Sequence, residues 1–115
     1  MSRHLPSYLR TLRLQWGLTQ VELARLLGIS DSLLSLVESG ARQPTARVIL
    51  PAEILFGLAG EEIFPGAYWE IERVVAKRGR ALRVRLQSRS GWGAAEKRRL
   101  LKTMISRVEH AKRSI

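Results

Sequence analysis

The 115-residue sequence predicts an all-α protein. Three observations carry that expectation. Apolar residues recur every three or four positions along most of the chain, and glycines and capping residues punctuate those runs at helix-like intervals. Strand-like alternation is confined to residues 82–87, where Leu82, Val84 and Leu86 alternate with Arg83, Arg85 and Gln87. A lone strand has no ladder partner, so this segment is read as continued helix as well. The expected organisation is a five-helix module over residues 1–65 followed by a basic helical extension over residues 66–115.

Leu5, Leu9, Leu12 and Trp16 lie at helical spacing and predict a first helix over residues 6–16, with Gly17 turning the chain. The next start is strongly marked. Thr19 and Glu22 form a T-x-x-E capping box, and Leu18 before it with Leu23 after it can make the hydrophobic staple, giving a second helix over residues 20–27. Gly28 stops that helix, Ile29 plugs the turn and Ser30 caps a third helix that ends at Gly40. A fourth helix is expected over residues 45–56, where Pro51 removes a backbone donor and should kink or restart it. The segment "EEIF" closes the module.

Ala24, Gly28 and Leu34 make the most specific local pattern. Two helices that cross steeply within a few residues need a small side chain at the contact, a turn residue tolerant of positive φ, and a large aliphatic to lock the angle. All three are present in a chain segment bounded by two good caps. An ordinary αα-hairpin would not require that agreement, so a helix-turn-helix is the better reading.

On the residues "LRTLRLQWGLTQVELARLLGIS", "LLSLVESGARQPT" and "EEIF", the segment 8–64 resembles the lambda-repressor and Cro-like helix-turn-helix family, also called the XRE family. The resemblance implies a five-helix lambda-repressor-like domain that binds double-stranded DNA. It implies an internal pair between Arg13 and Glu38, phosphate contacts from Thr19 and Gln20 at the start of the second helix, and further backbone contacts from Arg42 and Gln43. Pro51 departs from the family pattern, and the stretch before "EEIF" runs one residue longer than the commonest form.

The third helix is the unusual part. With Leu34 and Val37 facing inward, the residues able to enter a major groove are Asp31, Ser32, Ser35, Leu36 and Ser39, with Leu33 at the margin. None can make the two-pronged contact of Arg to guanine or of Asn and Gln to adenine. Direct readout should therefore be weak, leaving DNA shape, half-site spacing and phosphate positioning to contribute.

Charge is divided unevenly. Residues 1–64 hold six basic and six acidic side chains, whereas residues 65–115 hold fourteen basic and four acidic, so the whole net charge of +10 sits in the extension. Tyr68, Ile71 and Val75, with Ala67 and Val74 beside them, predict an amphipathic helix there. "SRSGWG" is a break. A last helix follows, with Leu101, Met104, Ile105 and Val108 on one face and Lys97, Arg98, Lys102 and Lys112 largely off it. That stripe is a packing face for its own domain or for a second copy. Arg80, Arg83 and Arg85 are candidates for auxiliary nucleic-acid contacts.

Catalysis finds no support, since His4 and His110 lie near the ends without paired carboxylates or a nucleophile–base arrangement. No metal ligand set, cofactor motif or cysteine is present. The first residues lack an apolar h-region and no run of about 18 apolar residues occurs, so no membrane association and a cytoplasmic location are expected. The expectation is a DNA-binding transcriptional regulator, a homodimeric repressor joined through its C-terminal helices. The alternatives are an antitoxin-like module with a protein partner and a tail-driven non-specific nucleic-acid binder.

Overall fold

The computed structural model describes residues 7–113, with side chains as far as residue 110; the expectations placed on His4, Leu5, Pro6 and Lys112 lie outside them. Among the described residues there are seven helices and no strand. They are α1 (Leu9–Gln15), α2 (Gln20–Leu27), α3 (Asp31–Ser39), α4 (Ala46–Phe56), α5 (Gly60–Ile63), α6 (Pro65–Leu86) and α7 (Ala94–Arg113). The chain divides into two units between Trp69 and Glu70, inside α6 rather than at Pro65–Gly66. Phe64 and Ala67 belong to the first core, which is why the first unit runs past the Pro-Gly pair.

In the first unit, Leu9, Leu23, Ala24, Leu27, Leu34, Val37, Val48, Ala52, Ile63, Phe64 and Ala67 form one buried cluster. Full burial of each Leu, Ile or Phe contributes about 1.5–3 kcal/mol. The α2 start has the full capping box: Glu22 N donates to the Thr19 hydroxyl at 3.1 Å and Thr19 N donates to Glu22 Oε1 at 2.8 Å. Gly28 takes the left-handed conformation, φ 74°, and Ser30 accepts from Leu33 N at 3.1 Å to start α3. Tyr8 N donates to Ile63 O at 2.8 Å, tying the beginning of the module to its end.

Two expectations are corrected here. α1 is shorter than the helix expected over residues 6–16: it begins at Leu9 and ends at Gln15, and Trp16 lies 68% exposed in the turn before Gly17. Pro51 does not restart the fourth helix. Residues Ala46–Phe56 form one helix with Pro51 inside it, one turn from the start, where the missing donor would have served only the Arg47 carbonyl.

The second unit is a pair of antiparallel helices. Arg98, early in α7, donates from Nη1 to the carbonyls of Leu86 and Arg89 at 3.0 Å each, while Arg80 pairs with Glu109 at 2.9 Å. Residues 80–86 continue α6 as helix, and α6 passes through Gly79 because α7 crosses there. A Cβ at Gly79 would lie 2.6 Å from Met104 Cε. Leu101, Met104 and Ile105 of the expected stripe thus pack against α6 of their own chain. The expected apolar stripe on α6 packs only in part: Ala67 is buried in the first core and Tyr68 is half-buried, whereas Ile71, Val74 and Val75 are 50%, 41% and 42% exposed and Ala76, Gly79 and Leu86 are the buried residues further along. Small residues let the helix axes approach, and the larger ones are left on the flank.

Candidate nucleic-acid interface

The angle between α2 and α3 sets how α3 is presented. Ala24, 1% exposed, and Leu34, fully buried, fill the contact, and Gly28 makes the turn. A second lock lies across the same junction. Arg13 Nε donates to Glu38 Oε2 at 2.6 Å and Arg13 Nη2 to Glu38 Oε1 at 3.2 Å, a fork-to-fork pair with side chains 12% and 4% exposed. Arg13 Nη1 also donates to the Leu18 carbonyl at 3.1 Å, so one guanidinium joins α1, the lead-in to α2 and the end of α3.

Gln20 enters this network too. Its Nε2 donates to Glu38 Oε1 at 3.3 Å, which orients the amide and leaves its second N–H for an outside acceptor. The Thr19 hydroxyl accepts from Glu22 N. The Thr19 backbone N–H, followed by the Thr19 hydroxyl, holds the Glu22 carboxyl below its ordinary pKa, because both stabilise the ionised form. An ionised Glu22 in the first turn also suits the positive end of the α2 dipole.

On α3, Leu34 and Val37 are buried, Leu33 is half-buried, and Asp31, Ser32, Ser35, Leu36 and Ser39 are exposed. The five exposed side chains occupy the outer side of one helix. Ser39 differs from the others: its hydroxyl donates to Leu36 O at 3.1 Å and accepts from Ala41 N at 3.4 Å, closing the helix end. Ser32 and Ser35 are each able to donate or accept, Asp31 to accept, and Leu36 to touch a methyl group. Arg42 and Gln43 are exposed in the segment after α3.

Sequence reasoning missed three features of these sites. Gln20 joining Glu38 requires knowing that the start of α2 lies beside the end of α3. The Arg98 bonds to the Leu86 and Arg89 carbonyls reach back across the turn between α6 and α7, a connection that no helical spacing rule predicts. Trp16, Leu18, Leu26, Leu55 and Phe56 line an apolar cleft of about 280 Å³, and Leu26 and Leu55 continue it to Leu50, Pro51 and Ile54. The excess of large apolar residues over buried positions in α2 and α4 was its available signal.

Arg80 is paired with Glu109, Arg83 is half-buried and Arg85 is exposed, so these three candidates do not share one environment. No cluster of His, Cys, Asp and Glu that could hold a metal is present among the described residues.

Two capped helices joined at a left-handed glycine, with a third-helix face left outside the core, define a helix-turn-helix module. The chain belongs to the helix-turn-helix domain family, whose model matches residues 4–63, in keeping with its lambda-repressor-like character. Comparison with curated proteins and with solved structures finds no significant match. No helix among the described residues is long and apolar enough to cross a membrane.

Proposed function

We propose that this chain is a sequence-specific DNA-binding transcriptional regulator acting in the cytoplasm as a homodimeric repressor. The observation that carries the reading is the outer face of α3, where Leu34 and Val37 are buried and Ser32, Ser35 and Leu36 are left exposed, free to enter a groove. Thr19, Gln20, Arg42 and Gln43 would hold phosphates on either side and fix the register, and Asp31 would accept from cytosine N4. Exposed cations of the extension, Arg85 among them, would add affinity of a salt-dependent kind.

For dimerisation through the C-terminal helices, the Leu101 stripe is already occupied by α6. A different surface is available. At 100° per residue Ile71, Val75 and Leu82 fall on the side of α6 opposite Arg80, and Leu100 falls on the side of α7 opposite Glu109. Since Arg80 and Glu109 bond to each other, those four apolar residues share the other side of the helix pair. Two copies could cover it mutually, as an isologous contact requires.

The test is a binding series on the promoter upstream of the protein's own gene. Gln20→Ala and Arg42→Ala should weaken all duplexes alike, and Ser32→Ala and Leu36→Ala should change the ranking among operator variants. Equal affinity for random and operator duplex would leave only a non-specific binder. The apolar cleft at Trp16 and Phe56 favours a second reading, a module with a protein partner. That reading requires a co-purifying protein that Leu26→Glu releases.

A further inference from the structure

Trp92 is 101% exposed, so its indole touches nothing in the chain. It sits in the short connection between α6 and α7, between Gly91 (φ 138°) and Gly93 (φ 82°). The backbone around it is nevertheless tied down. Arg98 holds the Leu86 and Arg89 carbonyls, Arg89 N donates to Leu86 O at 3.1 Å, Ala94 N to Gly91 O at 3.2 Å, and Lys97 N to Gly93 O at 3.0 Å. A large flat side chain is thus carried on a pinned turn whose neighbours, Ser90, Gly91 and Gly93, are small enough to let another molecule come close.

The surroundings say what kind of molecule. Residues 83–102 include seven basic side chains, Arg83, Arg85, Arg89, Lys97, Arg98, Arg99 and Lys102, against one acidic, Glu96. Arg98 is engaged by the turn, and Arg85, Arg89, Lys97, Arg99 and Lys102 are exposed. An exposed aromatic plane on a turn flanked by exposed cations, of which Lys97 lies against Gly93, complements one base plane with its flanking phosphates. A lipid surface would be met better by several apolar side chains at the tip, and only Trp92 is there.

We infer that the α6–α7 turn is a second nucleic-acid contact, in which Trp92 stacks on a base of an unpaired or unwound DNA segment while Arg85, Arg89 and Lys97 hold the adjacent phosphates. This deepens the DNA-binding reading above and rests on it, but it uses none of the α3 residues. Stacking is indifferent to base identity, so the contact adds affinity without adding a sequence code. The pinned turn places the indole before binding, which lowers the ordering cost.

The test uses the full chain with Trp16→Phe and Trp69→Phe, both at partly exposed positions, so that Trp92 is the sole indole. Titration with oligo-dT should quench its emission, and Trp92→Ala in the parent chain should weaken oligo-dT binding by about fivefold to a hundredfold. The salt slope should stay the same, because the phosphate contacts remain, and Trp92→Phe should retain part of the affinity. Unchanged oligo-dT affinity in Trp92→Ala overturns the inference. So does an emission that ignores oligo-dT but shifts to the blue with phosphatidylcholine–phosphatidylserine vesicles, or a Trp92→Ala chain whose mass in solution changes, which would place the indole between copies. Loss of duplex binding in Gln20→Ala or Arg42→Ala reports on the helix-turn-helix separately, so the two readings can fail independently.

Discussion

Removing the Glu38 carboxylate should nearly unfold the helix-turn-helix module. In the native state that group receives Arg13 Nε, Arg13 Nη2 and Gln20 Nε2, and its side chain is only 4% exposed. Glu38→Ala leaves the Arg13 guanidinium, itself 12% exposed, held by the Leu18 carbonyl alone. Breaking a buried pair from one side costs about 3–5 kcal/mol. A module of this size is stabilised by roughly 3–9 kcal/mol in total, at about 0.05–0.15 kcal/mol per residue. Urea denaturation of the full chain, followed by circular dichroism, should show the first transition moved to much lower denaturant or lost. Arg13→Met with Glu38→Leu should recover most of it, because no charge is then left without a partner and the volume is filled. If Glu38→Ala stays within about 1 kcal/mol of the parent, or the double variant loses the sum of the two single losses, the pair is not the lock described.

Other substitutions separate further parts of the argument. Gly79→Ala should be neutral or stabilise by up to about 1 kcal/mol, since Ala is the better helix former and the atom it meets is the movable end of Met104. Gly79→Leu should instead destabilise the second unit by about 1–3 kcal/mol by forcing α6 and α7 apart, which urea titration would register. Gly28→Ala meets no atom within 4 Å and should lose only the conformational cost of φ 74°, about 1–2 kcal/mol, in the same titration. Glu22 has its pKa lowered in the folded state, so its support for α2 is present above the ordinary carboxylate pKa and is lost as pH falls through the lowered value. Melting temperatures of Glu22→Gln, which keeps an acceptor but does not titrate, should accordingly depend less on acid than those of the parent. Ser39→Ala should leave the ranking of operator variants unchanged in a gel-shift series, because its hydroxyl serves the end of α3.

The helix-turn-helix was legible because its signals are local. The Thr19–Glu22 box, Gly28 and the Ser30 cap each act within a few residues, and each is found in the place its spacing predicts. Arg13 and Glu38 could be joined only through the family resemblance, since their separation in the chain gives no spacing rule. The extension was harder for a different reason. Period alone finds an apolar stripe on α6, but which stripe packs depends on where the partner helix crosses. That crossing is chosen by Ala76 and Gly79, whose smallness carries little weight in a hydrophobic pattern. Gly79 in particular looks like a helix breaker in sequence and acts as a contact point in the structure. Ser39 illustrates a limit of reading faces: the periodicity places it outside with Ser32 and Ser35, but only the helix end reveals that its hydroxyl is already used.

The composition of α3 has a consequence for assembly. A single neutral hydrogen bond is worth about 1 kcal/mol or less, so Ser32, Ser35 and one methyl contact from Leu36 give roughly 3 kcal/mol of discrimination from one helix. Specific sites are typically preferred over random DNA by about 4–10 kcal/mol. One copy of this helix falls short of that range, and two copies on two half-sites, at roughly 6 kcal/mol, enter it. A recognition helix rich in Arg or Asn could work alone; if α3 reads an operator as proposed, it needs either a second copy or a contribution from DNA shape. The two differ in how discrimination depends on half-site spacing. With a dimer, inserting five base pairs between half-sites turns them to opposite faces of the duplex, at about 10–10.5 base pairs per turn, and should abolish preference for the operator. With shape readout by a single copy, the same insertion should leave each half-site as well bound as before. Leu82→Glu, placed on the exposed apolar side of α6, should reproduce the loss in the dimer case without altering α3 at all.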